Sequence, residues 1–71
     1  MLKLYVNNRG WVMGIIRDKK DDEVIDLRFT KMKEGAKPFK DNWNVDPDLW
    51  DVLYYIENQL KCHVDKVRCS A

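Results

Sequence analysis

The sequence has few of the residues from which catalytic and metal sites are made. It contains one histidine, His63, two cysteines, Cys62 and Cys69, and two side-chain hydroxyls of serine or threonine, Thr30 and Ser70. Nucleophilic catalysis needs a nucleophile and a base within reach of each other, but Cys62 and His63 are neighbours that point to opposite faces of an extended strand. Structural zinc sites use closely spaced ligand pairs, which a single Cys-x6-Cys spacing does not provide. The sequence therefore predicts neither an enzyme nor a metal protein.

Glycine is also scarce, and long apolar runs are absent. The chain has 3 glycines, too few for the glycine-rich loops that hold phosphates, so no cofactor is expected. No stretch approaches the roughly 20 apolar residues that cross a bilayer, and Met1–Val6 is too short and too polar for a signal peptide. Two cysteines are too few for a disulfide framework and are interpreted as reduced thiols. These features predict a cytoplasmic protein without a membrane contact.

The charges show no excess of one sign. The chain has 13 basic and 12 acidic residues, for a net charge of +1. A dedicated nucleic-acid-binding protein usually carries a basic excess, because neutralisation of phosphates drives its binding. Hydrophobic residues make up 45% of the chain and include large aromatic side chains, so a folded core is expected rather than disorder. The length of 71 residues predicts a single domain over residues 1–71.

Three segments alternate between apolar and polar residues, as half-buried strands do, and short polar turns separate them: Leu2–Asn7, Trp11–Arg17 and Glu23–Met32. In the third segment the alternation directs Ile25, Leu27 and Phe29 toward the core. Gly14, inside the second segment, indicates a bulge or a close approach of the backbone. Lys33–Val45 has no periodicity and is predicted to be a long loop.

A helix is predicted to begin at Pro47, with Asp46 as its cap and a staple contact between Val45 and Trp50. Its apolar stripe consists of Leu49, Val52, Leu53, Ile56 and Leu60. His63–Cys69 is predicted to form a last strand, with a bulge between Val64 and Val67. The fold class is therefore α+β, in the order β-β-β-α-β, with one amphipathic helix on one face of a small, mostly antiparallel sheet.

Large aromatic residues beside the helix stripe indicate a surface for a protein partner. Trp50 and Tyr54 are one turn apart and lie outside the stripe, and Tyr55 lies on its other flank. Trp and Tyr are frequent anchors in interfaces. An alternative for Trp50 is a purely structural role as the staple at the helix start. The leading hypothesis is a non-enzymatic protein-interaction module that acts as an inhibitor or antagonist.

A second hypothesis is a small nucleic-acid-binding protein that uses the Lys31–Trp43 segment. Lysines hold phosphates while aromatic side chains stack on unpaired bases, although the aspartates that follow oppose a phosphate backbone. Phe39 and Trp43 could instead bind a protein partner or fold inward and close the core. The basic residues of this segment are Lys31, Lys33, Lys37 and Lys40.

The sheet edges offer a third possible contact, because an uncovered edge can pair with another chain. The result would be a homodimer or the addition of a strand from a different protein. In its small size, its dense charge of both signs, its several Trp and Tyr residues, and the short terminal strand near Lys61-Cys62-His63-Val64, the chain resembles the small early proteins with which bacteriophages bind host machinery. This resemblance covers the general architecture and no specific motif, so it assigns no site residue. It implies an inhibitor or adaptor role.

Overall fold

Four antiparallel strands and one helical segment make up the fold. In the computed structural model, which describes residues 1–42 and 44–69, the elements along the chain are β1 (Leu2–Val6), β2 (Gly10–Arg17), β3 (Val24–Thr30), α1 (Pro47–Tyr55), a π-helical turn (Ile56–Leu60) and β4 (Val64–Arg68). A short 3-10 turn (Lys33–Gly35) precedes the helix. The predicted α+β class and the β-β-β-α-β order are confirmed. Among the described residues, no helix has both the length and the apolar character that crossing a membrane requires.

The strand order across the sheet is β3-β2-β1-β4. β1 is central: it pairs with β2 through Tyr5 and Val6, and with β4 over its whole length from the Leu2–Arg68 pair onward. The pairing of β4 with β1 has no shift of register, so the predicted bulge in the last strand is wrong. Gly10 closes the turn between β1 and β2 with φ +110°, where a Cβ atom would lie 2.8 Å from the Thr30 carbonyl oxygen.

The core lies between the sheet and the helix. Leu49, Val52 and Ile56 are buried on the helix side, where the predicted stripe places them, while Leu53 and Leu60 are half-buried and pack against them. The helix begins at Pro47 as predicted, but the side chain of Asp46 makes no cap hydrogen bond. Its Oδ2 accepts from the backbone N–H of Lys40 at 3.1 Å instead. The sheet contributes Leu2, Leu4, Val6, Val12 and Leu27.

Two irregularities in the pairing of β2 with β3 change which residues face the core. The register shifts between Val12 and Gly14, which confirms the bulge that Gly14 indicates. It shifts again where Ile16 pairs with Asp26 and Arg17 with Val24, so Ile25 is an extra residue in β3. The inward prediction for Ile25 is therefore wrong: its side chain is 53% exposed, because an inserted residue breaks the alternation of a strand.

The loop after β3 enters the sheet rather than lying over it. β1 and β2 pair only near the turn that joins them, and the loop fills the space where they separate. The backbone N–H of Lys37 donates to the Val12 carbonyl at 2.9 Å, and Phe39 exchanges two backbone hydrogen bonds with Leu2, at 2.7 and 2.8 Å. The Phe39 side chain is 0% exposed, so it folds inward and cannot contact a partner as predicted. Trp43 lies outside the described residues.

Candidate partner-binding surface

The helix exposes two aromatic side chains next to each other. Trp50 is 53% exposed and Tyr54 is 60% exposed, because the buried stripe takes the opposite side of the helix. Their ring centroids lie 6.5 Å apart with an angle of 36° between the planes. The surface position favoured for Tyr54 is confirmed, and of the two alternatives left open for Trp50 the structure has the exposed one. Val45, the other residue of the predicted staple, is exposed as well.

A cleft of about 380 Å³ opens beside this pair, between the helix and the turn that joins β2 to β3. We call it the flank cleft. Trp50, Tyr54 and Tyr55 form its aromatic walls, and Val24 adds an apolar surface at the start of β3. The other residues that line it are polar or charged: Arg17, Asp22, Glu23, Asp51 and Gln59.

Tyr55 forms part of this cleft rather than a separate surface on the other flank. Its ring is half-buried against the core, and its hydroxyl donates to the Ile25 carbonyl at 3.1 Å. The bulge in β3 places that carbonyl beside the helix. Tyr55 therefore both joins the helix to β3 and forms a wall of the flank cleft.

Arg17 lines the flank cleft and makes hydrogen bonds to three separate groups. Its Nη2 donates to Asp48 Oδ1 at 2.6 Å and to Asp51 Oδ2 at 2.9 Å, and its Nη1 donates to the Asp22 carbonyl at 2.7 Å. The hydrogen bond with Asp51 is the largest cause that raises the pKa of Arg17, and desolvation opposes it. Sequence reasoning missed this residue. Asp48 and Asp51, spaced by three on the first turns of a helix, were the available signal.

The helix side of the molecule is acidic. From Asp46 to Leu60 the chain has four carboxylates and neither lysine nor arginine. Asp22 and Glu23 add two exposed carboxylates on the opposite rim of the flank cleft. Arg17 offsets part of this charge, so the cleft retains an acidic excess. Aromatic walls within an acidic rim suit an apolar group with cations around it.

The four lysines predicted to bind nucleic acid do not form one cluster with Phe39. Lys31 and Lys40 are exposed, and the Lys37 ammonium lies 5.6 Å from the centroid of the buried Phe39 ring. The Lys33 ammonium lies 5.9 Å from the Trp11 ring centroid, on the sheet. The loop therefore brings one of its lysines to an aromatic residue of β2, outside the predicted segment.

The sheet has two edge strands, β3 and β4. Exposed charged residues occur along both of them, and such residues oppose the pairing of edges between chains: Asp26, Arg28, Asp65, Lys66 and Arg68. Homodimerisation through an edge remains a prediction. Cys62 and Cys69 lie on either side of β4 as free thiols. Within residues 1–42 and 44–69, no group of three or more candidate ligands could hold a metal ion.

Comparison with known proteins identifies no relative of this chain. No family model matches the chain, and neither a curated protein nor a solved structure has significant similarity to it.

Proposed function

We propose that this protein is a small protein-binding module, and that the flank cleft receives an apolar side chain of the partner. The observation that carries this proposal is the exposed pair of Trp50 and Tyr54 at the mouth of a preformed cleft. Exposed aromatic side chains are retained at a cost in solubility, and Trp and Tyr dominate the binding energy of many interfaces.

The surroundings of the pair support a rigid binding surface. Arg17 ties the first turns of the helix to the end of β2, and Tyr55 ties its last turn to β3. A surface that is already held in place loses little conformational freedom when it binds. The helix that carries the two rings therefore needs little ordering when a partner binds.

The acidic rim indicates what the partner presents. Asp22 and Glu23 on one side and the helix carboxylates on the other favour a segment in which lysine or arginine flanks the apolar side chain. Charge complementarity of this kind increases the association rate and excludes acidic competitors. Occupation of such a segment would block its other contacts, which is the action of an inhibitor or antagonist.

A photo-crosslinking amino acid at position 54 provides the first test. The partner is the protein that becomes crosslinked in cell extract and that is lost when Trp50→Ala is added. The matched control carries the crosslinker at position 32, because Met32 is equally exposed and lies away from the helix. We expect the crosslinked peptide of the partner to contain an apolar residue beside lysine or arginine. Equal crosslinking from both positions would contradict the proposal.

Binding of the purified partner provides the quantitative test. Tyr54→Ala should weaken the complex about thirtyfold or more, the loss typical of an interface anchor, and should leave the melting temperature within a degree or so of the wild type. Met32→Ala should leave both unchanged. If Tyr54→Ala binds as tightly as the wild type, the flank cleft is not the binding site.

The acidic rim is tested by charge removal alone. Asp22→Asn combined with Glu23→Gln should lower the association rate and its dependence on salt, with little change in the dissociation rate. Glu34→Gln, an exposed carboxylate in the loop, serves as the control. A partner that associates faster with the double variant would be acidic and would contradict the charge argument.

A further inference from the structure

The face of the sheet that points away from the helix carries a second aromatic pair. Leu4, Val6 and Val12 point into the core, so the alternation of β1 and β2 directs Tyr5 and Trp11 to the opposite face. These two residues are direct partners in the pairing of β1 with β2. Their ring centroids lie 5.2 Å apart with an angle of 70° between the planes. We call this side of the sheet the outer face.

Two ammonium groups are held beside this pair. Lys3 lies two residues before Tyr5 on the same face of β1, and its Nζ donates to the Lys33 carbonyl at 2.9 Å. The Lys33 ammonium in turn lies 5.9 Å from the centre of the Trp11 ring. A strand and the loop after β3 therefore supply one positive charge each to the same aromatic pair.

The loop beside this aromatic pair is also positively charged. The Lys31–Lys40 segment has four lysines and one glutamate, whereas the helix on the other side of the molecule is acidic. One carboxylate, that of Asp65, lies opposite Tyr5 in β4, and its Oδ1 lies 2.9 Å from His63 Nε2. The molecule thus separates an acidic aromatic surface from a basic aromatic one.

We propose that the outer face binds a short stretch of single-stranded nucleic acid. One base stacks on the Tyr5–Trp11 pair, and Lys3 and Lys33 each contact a phosphate. Unpaired bases expose the flat surfaces that an aromatic ring needs, and stacking tolerates any base. A duplex hides those surfaces and is not expected to bind in this way. This proposal stands on residues that the flank cleft does not use, so either proposal can fail without the other.

Fluorescence anisotropy with a labelled oligothymidine, from low to physiological salt, tests the outer face. We expect binding that weakens as salt rises, and weaker binding to a duplex of equal length. Lys3→Gln combined with Lys33→Gln should reduce the slope of log K against log salt by about 1.4, since each phosphate contact on a single strand contributes about 0.7. The control, Lys19→Gln with Lys20→Gln, removes the same charge from the turn between β2 and β3.

Stacking is tested separately from charge. Tyr5→Leu keeps an apolar residue on the strand and removes the ring, and it should weaken binding about fivefold or more without changing the salt slope. A melting curve verifies that each variant is folded. The proposal is overturned by the absence of binding at low salt, by an equal affinity for the duplex, by a control pair that lowers the slope equally, or by unchanged binding of Tyr5→Leu. A photo-crosslinking amino acid at position 5 that captures a protein and no nucleic acid would also overturn it.

Discussion

Arg17 is a single residue that connects three parts of the chain. Its guanidinium group bonds to the turn after β2 through the Asp22 carbonyl and to the helix through two carboxylates. The planar, forked arrangement of its donors suits such a site in a way that one ammonium group does not. The hydrogen bond with Asp51 raises the pKa of Arg17, which favours the charged guanidinium that both carboxylates need.

The first prediction concerns this residue. The pKa of Arg17 is higher in the folded protein than in the unfolded chain, so its full contribution to stability is present at any pH below the pKa of the unfolded chain. That contribution should therefore be constant from neutral to mildly alkaline pH. Arg17→Lys should lower the free energy of unfolding by about 1 kcal/mol, because both carboxylates are exposed and screened, and should lower the melting temperature by roughly 4–8 °C. Thermal unfolding followed by circular dichroism measures this change.

The control for Arg17 is Arg9→Lys, a substitution of an exposed arginine in the turn between β1 and β2, which should change the melting temperature little. If the two variants melt alike, the three hydrogen bonds of Arg17 contribute no measurable stability.

Lys61, by contrast, acts through its backbone conformation. It ends the helical segment in the left-handed conformation, with φ 54° and ψ 39°, and its N–H donates to the Ile56 carbonyl at 2.7 Å. Glycine reaches this conformation without steric strain. Lys61→Gly should therefore raise the free energy of unfolding by about 0.5–1 kcal/mol, which urea denaturation can measure. Lys61→Ala keeps the strain and should give no gain; equal stabilisation by alanine and glycine would show that the conformation costs nothing.

At the scale of elements, the bulge in β3 changes which of its residues packs against the core. Ile25 turns outward, and Val24 packs against the core in its place. The core side of the helix relies on Ile56, which is fully buried although it begins the π-helical turn. Ile56 follows Leu49 and Val52 at ordinary α-helical spacing, and the π-helical turn leads the chain from there toward β4.

The exchange leads to opposite expectations for two isoleucines. Ile56→Ala should cost about 2–5 kcal/mol by opening a cavity in the core, which can unfold so small a domain. Ile25→Thr should change the free energy of unfolding by no more than about 0.5 kcal/mol. Urea denaturation of both variants compares them directly. A large decrease in the free energy of unfolding for Ile25→Thr would show that this side chain lies in the core, and would contradict the bulge.

The regular parts of these elements could be predicted from the sequence. Alternation located the strands, and the spacing of Leu49, Val52 and Ile56 located the buried stripe of the helix and hence the exposure of Tyr54. The same spacing left open whether Trp50 is exposed or only staples the helix start. These patterns are local, since each depends on the geometry of one element. The α+β class followed from the order of the elements.

The parts that could not be predicted depend on contacts between distant segments. The outward turn of Ile25 depends on the register with β2, and the burial of Phe39 depends on the gap between β1 and β2. Arg17 meets its carboxylates only after the helix has packed on the sheet. Likewise, Trp11 belonged to a predicted strand, but its proximity to Tyr5 and Lys33 follows from pairing that no local pattern contains.

On the scale of the whole molecule, stability should be greatest in the central strand. β1 bonds to a neighbour on each side, and Leu4 and Val6 are fully buried. Hydrogen exchange measured by NMR should find the slowest amides in β1, which open only on global unfolding, whereas edge strands open by local fluctuations. β3 provides the internal comparison. Faster exchange in β1 than in β3 would contradict the central position of β1.

The pairing of β1 with β4 also affects how the chain is made. Leu2 pairs with Arg68, so β1 acquires its second neighbour only after β2, β3 and the helix have been synthesised. Until then the nascent chain has an unfilled strand position beside Leu4 and Val6, and such an edge recruits chaperones or aggregates. A peptide of residues 64–68 supplied in trans would compete for that position, and newly made protein would be far more sensitive to it than the finished fold.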